Sequence, residues 1–227
     1  MTAVAGQRVA AVTGAAGGIG AAVCARLAAD GFAVACLDYR ADRASEVAAG
    51  LPGARGYGMD VRAAGSVRAA AEQVRSELGE PWLLVNAAGV FSIQRLTDLD
   101  EAEWDRLLDT NLKGPFLTCR EFIPAMTAAG SGAIVNIAST AGVRGGRLRA
   151  AYCASKGGLV LLTRSLAIDH GPEGVRVNCV CPGLIVRRRW PPGCPGRAGT
   201  AWTCATPGRC GTPPGGSVLS WGSRGCW

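Results

Sequence analysis

Val9-Ala10-Ala11-Val12-Thr13-Gly14-Ala15-Ala16-Gly17-Gly18-Ile19-Gly20 runs from a short apolar stretch through a glycine-rich turn into an Ala- and Leu-rich segment that ends near Asp30. That order reads as strand, tight turn and helix. Gly14, Gly18 and Gly20 let the backbone turn and approach a neighbour closely. The N–H groups around Ile19 open a helix whose dipole favours an anion, as a dinucleotide pyrophosphate would be.

The same alternation continues outward. Apolar runs at 33–37, 56–59, 83–86, 133–137 and 175–181 are separated by helical stretches near 40–49, 63–78, 101–128 and 151–169. Six strands, each followed by a helix or loop, imply an α/β fold of Rossmann type with a doubly wound parallel sheet. The pattern stops after Val186, which divides the chain into a domain over 1–186 and a tail over 187–227. The tail holds nine Gly, six Pro, six Arg, four Cys and four Trp, with no helical or strand period.

The formal charge of +7 is misleading as a guide to partners, because the tail supplies six Arg and no acid. The body keeps 18 of the 24 basic residues against all 17 acidic ones, so nucleic-acid binding is not expected. MTAVAGQ lacks a basic n-region and no apolar run approaches ~18 residues, so no membrane span is expected and the cytoplasm is the expected location. Cys24, Cys36, Cys119, Cys153, Cys179 and Cys181 fall inside the expected elements as small buried residues. The tail cysteines Cys194, Cys204, Cys210 and Cys226 form no C-x-x-C pair, and His170 is the only histidine, so no metal site is expected.

Three groups carry chemistry. Asp38 ends the second strand 18 residues beyond Gly20, where a carboxylate can accept from adenosine ribose hydroxyls and repel a 2′-phosphate. This favours NAD over NADP, with Arg40 as the opposing signal. Tyr152 and Lys156 stand four apart on one helical face, so the ammonium can lie beneath the phenol. A phenol with a pKa near ~10 must be acidified to act near neutrality, and Lys156 plus a cationic nicotinamide would supply that field. Ser139 precedes Tyr152 by 13 residues, just past the fifth strand, on the side where parallel sheets place their sites.

With Asp60-Val61, Asn86-Ala87-Ala88-Gly89, Asn111 and Pro182-Gly183 added in order, the stretch from Val9 to Ile185 resembles the short-chain dehydrogenase/reductase family. The resemblance implies an oxidoreductase passing hydride between nicotinamide and a secondary alcohol or ketone, 3-oxoacyl substrates included. Tyr152 would be its acid/base, and Ser139 would hold the substrate oxygen. Lys156 would bind the nicotinamide ribose and lower the Tyr152 pKa, and Asn111 would hold a water linking Lys156 to solvent. Asp60 and Val61 would contact adenine, Asn86 and Gly89 would line the dinucleotide crevice, and the backbone near Ile185 would face the carboxamide.

The departures lie at the C-terminal end. Arg187 stands where the family usually has a Thr, and a substrate lid, a further helix and a seventh edge strand are expected to be missing. We read the break as a shift of reading frame near codons 186–188 of a GC-rich gene, against a divergent natural tail; translating the other two frames decides between them. The alternative function is a dinucleotide-binding remnant or sensor without turnover. Loss of one family interface would leave a homodimer at most, poorly soluble, with the edge 175–181 unpaired and the tail protease-sensitive and without secondary structure.

Overall fold

The computed structural model describes residues 7–185 and, in backbone only, 217–220. The elements up to the first crossover are β1 (Val9–Thr13), α1 (Gly18–Ala29), β2 (Ala33–Asp38), α2 (Ala41–Ala49), β3 (Ala54–Gly58) and α3 (Ala64–Leu78). Then follow β4 (Pro81–Asn86), α4 (Glu101–Leu108), α5 (Gly114–Ala128), β5 (Gly132–Ile137), α6 (Ala141–Arg144), α7 (Ala150–His170) and β6 (Val175–Cys181). These six strands are parallel in the order β3-β2-β1-β4-β5-β6, the doubly wound arrangement expected of the sequence. The order reverses between β1 and β4, which is where such sheets open a crevice at their C-terminal ends.

Both faces of the sheet are covered, so its strands are apolar at nearly every position. In β1, Val9 and Ala11 pack with Val67, Val74, Phe122 and Met126 of α3 and α5, while Ala10 and Val12 pack with Cys24 and Ala28 of α1. The period-2 alternation divides one strand between two cores. α7 closes the β6 end through Leu159 and Val160 against Cys179 and Cys181.

A polar thread crosses this apolar interior. The Thr118 hydroxyl donates to Asn86 Oδ1 (2.7 Å), Asn86 Nδ2 donates to Asn136 Oδ1 (2.9 Å), and Asn136 Nδ2 donates to the Thr163 hydroxyl (2.9 Å). Thr163 in turn donates to the Leu159 carbonyl at 2.7 Å. All four side chains are buried, so the thread ties α5, β4, β5 and α7 into one register directly beneath the C-terminal ends of the strands.

Two expectations need correction. The stretch 101–128 is not one helix: α4 and α5 are joined by a π turn at Asp109–Lys113. Pro115 supplies the reason, because it has no N–H to offer the Asn111 carbonyl four residues earlier and its ring crowds that carbonyl. Nor is β6 an unpaired edge. A four-residue strand β7 (Ser217–Ser220) adds to it antiparallel, with Cys181 opposite Ser217 and Asn178 opposite Ser220. The tail prolines end at Pro214, so this short run keeps every backbone donor, and the open edge of β6 offers the matching ladder. The expectations of a missing seventh strand and of a tail without secondary structure therefore fail at 217–220, while Arg187 and the four tail cysteines lie outside the described residues.

The thread makes a stability prediction. Asn136→Ala takes from Asn86 Nδ2 its amide acceptor, leaving it only the long contact to Cys119 Sγ, and takes from the Thr163 hydroxyl the donor it accepts from, and should cost about 1–3 kcal/mol in urea denaturation. A loss below about 0.5 kcal/mol, the level of an ordinary surface change, would remove the thread from the stability account.

Candidate active site

The glycine turn is shaped by close backbone approach. Gly14 has φ +66°, and a Cβ there would lie 2.6 Å from Ala88 Cα; a Cβ on Gly20 would lie 2.1 Å from the Gly14 carbonyl oxygen. Gly17 caps α1 with no side chain, leaving the N–H groups of Gly18, Ile19 and Gly20 without intrahelical acceptors. Thr13 braces the other wall, its hydroxyl accepting from the N–H groups of Ala87 and Ala88 at 3.1 Å each. These bare donors at a helix N-terminus fit the pyrophosphate of a dinucleotide.

Asp38 is buried at the end of β2. One carboxylate oxygen accepts from Ala16 N (3.0 Å) and the other from Arg40 N (3.1 Å), with Arg40 Nε at 3.5 Å. Its charge is thereby fixed beside the glycine turn. Asp60 is occupied by a bidentate pair with Arg62, whose guanidinium holds its carboxyl below the usual range. Val61 is buried, packed close beneath Gly114. The Asn86 side chain is buried in the polar thread, its amide held by Asn136 and Thr118. Ile185 stands 58% exposed beyond β6.

The fold brings Asn111, Ser139, Tyr152 and Lys156 together. Asn111 sits in the π turn, fully buried: Oδ1 accepts from Val90 N (2.8 Å), and Nδ2 donates to the Val90 carbonyl (2.9 Å) and the Ser155 hydroxyl (3.0 Å). Both amide protons are spent, so a water near Lys156 would have to use the main-chain carbonyl that Pro115 leaves without its α-helical donor. Lys156 Nζ donates to the Ile137 carbonyl at 2.8 Å. Gly89 keeps the space above it open, since a Cβ there would lie 3.4 Å from Nζ and 3.2 Å from Asn111 Oδ1.

Burial pushes the Lys156 ammonium down to about 8. Burial also raises the Tyr152 phenol, while the Ser139 hydroxyl and the Arg149 charge pull it the other way. The Lys156 ammonium is turned to the Ile137 carbonyl. The sequence reading passed over Ser155, which holds Asn111, and Arg149. The Gly114-Pro115 pair inside an apparent helix was the available signal for the π turn, and position three before Tyr152 was the signal for Arg149.

The sequence model of a family described as short chain dehydrogenase matches residues 8–188. This chain belongs to that family. Its members are NAD(P)-dependent oxidoreductases acting on CH–OH groups. The D-threitol dehydrogenase of Mycolicibacterium smegmatis is 43% identical over 183 residues, covering 79% of this chain and 70% of that protein. The 2-(S)-hydroxypropyl-CoM dehydrogenase 3 of Xanthobacter autotrophicus is 39% identical, covering 79% and 72%. A solved NAD+-bound xylitol dehydrogenase superposes with a TM-score of 0.74 at 35% identity, covering 78% of this chain and 70% of that one. No helix among the described residues is long and apolar enough to cross a membrane, and no cluster of His, Cys, Asp and Glu among them could hold a metal ion.

The lowered Lys156 pKa predicts a pH dependence of stability. Below about 8 the amine is charged in both states and its burial penalty is complete. Between that value and the unfolded value of ~10.4 the unfolded chain binds the extra proton, so stability should rise with pH. Unfolding free energies by urea at pH 7 and pH 9 should increase more in the native chain than in Lys156→Met. An equal change in both would contradict the burial of a charged amine.

Proposed function

We propose that this chain oxidises a secondary alcohol to a ketone with NAD as hydride acceptor, and runs the reverse reduction. The observation that carries the reading is the grouping of Ser139 and Tyr152 with Lys156 and Asn111 at the C-terminal end of β5, in a fold whose helix α1 opens on a bare N-terminus. A bound nicotinamide supplies the hydride acceptor and a positive charge at the phenol. Tyr152 takes the hydroxyl proton of the alcohol, and Ser139 holds the oxygen from which it leaves. Lys156 binds the nicotinamide ribose, close enough to Tyr152 in that state to favour phenolate. In the reductive direction the neutral phenol that burial favours is already the proton donor.

The names of the three relatives support a secondary hydroxyl as the reacting group, since threitol, xylitol and a 2-hydroxypropyl group each carry one. NAD over NADP is supported by Asp38, whose carboxylate is fixed where a 2′-phosphate would be repelled. Arg40 pairs with that carboxylate and lies 5.2 Å over the Tyr39 ring, which engages the one cation that would favour the phosphate. We place the chain with the cytoplasmic dinucleotide pool, as a homodimer at most, a pairing supported by exposed Phe116 of α5 and Leu161 and Ile168 of α7. The division at 186 and the frame shift behind it belong to this reading, supported by the loss of pattern in the sequence.

Tyr152→Phe should abolish turnover of a ketone panel while NADH fluorescence titration gives nearly the native affinity, because only the proton-transfer group is lost. Retention of a substantial share of the rate would take the role from Tyr152. Separately, Asp38→Ala should narrow the preference for NAD over NADP in kcat/KM. A native chain that already prefers NADP would reverse the cofactor assignment and leave the family untouched.

A further inference from the structure

Tyr152 is held at its backbone and at its ring, and both holds lead to Ser155. The Ser155 side chain is fully buried, and its hydroxyl works in both directions: it donates to the Tyr152 carbonyl at 2.8 Å and accepts from Asn111 Nδ2 at 3.0 Å. The Asn111 amide forms a cyclic pair with the backbone of Val90, accepting its N–H on Oδ1 (2.8 Å) and donating from Nδ2 to its carbonyl (2.9 Å). The next residue, Phe91, brings the path back to its start. Its ring meets the Tyr152 ring edge-on, with centroids 4.8 Å apart and planes at 86°.

Each contact in this closed circuit fixes what the others leave free. The bond from Ser155 to the carbonyl three residues earlier holds the backbone of the turn that carries Tyr152, and leaves the torsions of the phenol open. Phe91 restricts those torsions, because aromatic pairs favour an edge-on geometry. Phe91 is itself 48% exposed, in a stretch over 87–95 that is neither helix nor strand, so burial alone does not hold it. The Asn111 pair fixes the backbone immediately before it, and Ser155 fixes Asn111. A phenol that must meet a substrate hydroxyl depends on such support, since a displacement of about 1 Å can cost about a hundredfold in rate.

We propose that Ser155 is a positioning residue for proton transfer: acting through Asn111, Val90 and Phe91, its hydroxyl fixes the orientation of the Tyr152 ring. This rests on the reading of Tyr152 as the proton-transfer group. Ser155 itself gives and takes no proton in the reaction, and its loss is felt in the rate of the bound complex more than in the affinity for alcohol or dinucleotide.

Three variants of the full chain test this: Ser155→Ala breaks both bonds, Ser155→Thr keeps the hydroxyl, and Phe91→Leu removes the ring edge. With NAD and xylitol, threitol and 2,3-butanediol as probe alcohols, Ser155→Ala should lower kcat about tenfold, with KM and the NADH affinity from fluorescence titration changed less than about twofold. Ser155→Thr should recover most of that loss. The double variant Ser155→Ala/Phe91→Leu should lose no more than the worse of the two single variants, because either change opens the same circuit. Where Ser155→Ala does not fold, Ser155→Cys, which keeps the volume and weakens both bonds, takes its place. Losses that add, or a native kcat without the hydroxyl, overturn the proposal while the oxidoreductase reading stands. Where the native chain oxidises none of the probes, that reading is the one that fails, and the positioning is judged by NMR of the chain labelled with 13C at Cζ of its three tyrosines. The Tyr152 signal, identified by its loss in Tyr152→Phe, should move in the same direction in Ser155→Ala and Phe91→Leu and return in Ser155→Thr, with Tyr39 and Tyr57 unmoved. A Tyr152 signal that ignores the Ser155 hydroxyl overturns the proposal.

Discussion

A single buried ammonium organises the site. Lys156 is 4% exposed and donates to one protein carbonyl, that of Ile137, so its surroundings must leave room for polar partners while excluding bulk water. Gly89 provides the room on one side. Behind it, Gly142 lets α6 meet α7 backbone to backbone, since a Cβ at that position would lie 2.6 Å from the Lys156 carbonyl carbon. The lysine is held at the C-terminal end of β5 by contacts that no larger residues would permit.

Asn111 completes the enclosure from the opposite side. Its amide binds the chain after β4 through Val90 and binds α7 through Ser155, so two segments that share no sheet ladder are kept at a fixed distance. The π turn makes this possible. A helix that continued unbroken from α4 would carry Asn111 to a different azimuth, and Pro115 is what stops it from continuing. The polar thread through Asn86 and Asn136 does for the sheet what Asn111 does for the loops. Fully satisfied networks of this type fix one register where apolar packing alone would tolerate several.

The fold was legible in the sequence because a parallel sheet buried on both faces forces a simple pattern: short apolar runs, a helix between each pair, and glycine where the first turn must approach Ala88. Tyr152, Lys156 and Ser139 were legible for a related reason, since each stands at a spacing that one helix or one strand end dictates. What could not be read were contacts between distant segments. That the Asn86 amide meets Asn136 depends on the pairing of β4 with β5, which no local spacing shows. The edge strand Ser217–Ser220 was hidden by the proline-rich composition around it, because composition averages over a run too short to shift it.

Electrostatics within the site follow from helix geometry more than from net charge. Arg149, Tyr152 and Lys156 occupy successive turns at the start of α7, three and four residues apart, so two cations bracket one phenol along a single helical face. Their effects on it differ because their outlets differ. The Lys156 ammonium is turned to a carbonyl, while the Arg149 guanidinium lies over an aromatic ring. A phenol raised by burial, with a buried lysine one helical turn away and the Arg149 charge acting against the burial, is a site whose protonation responds when charge is brought to it.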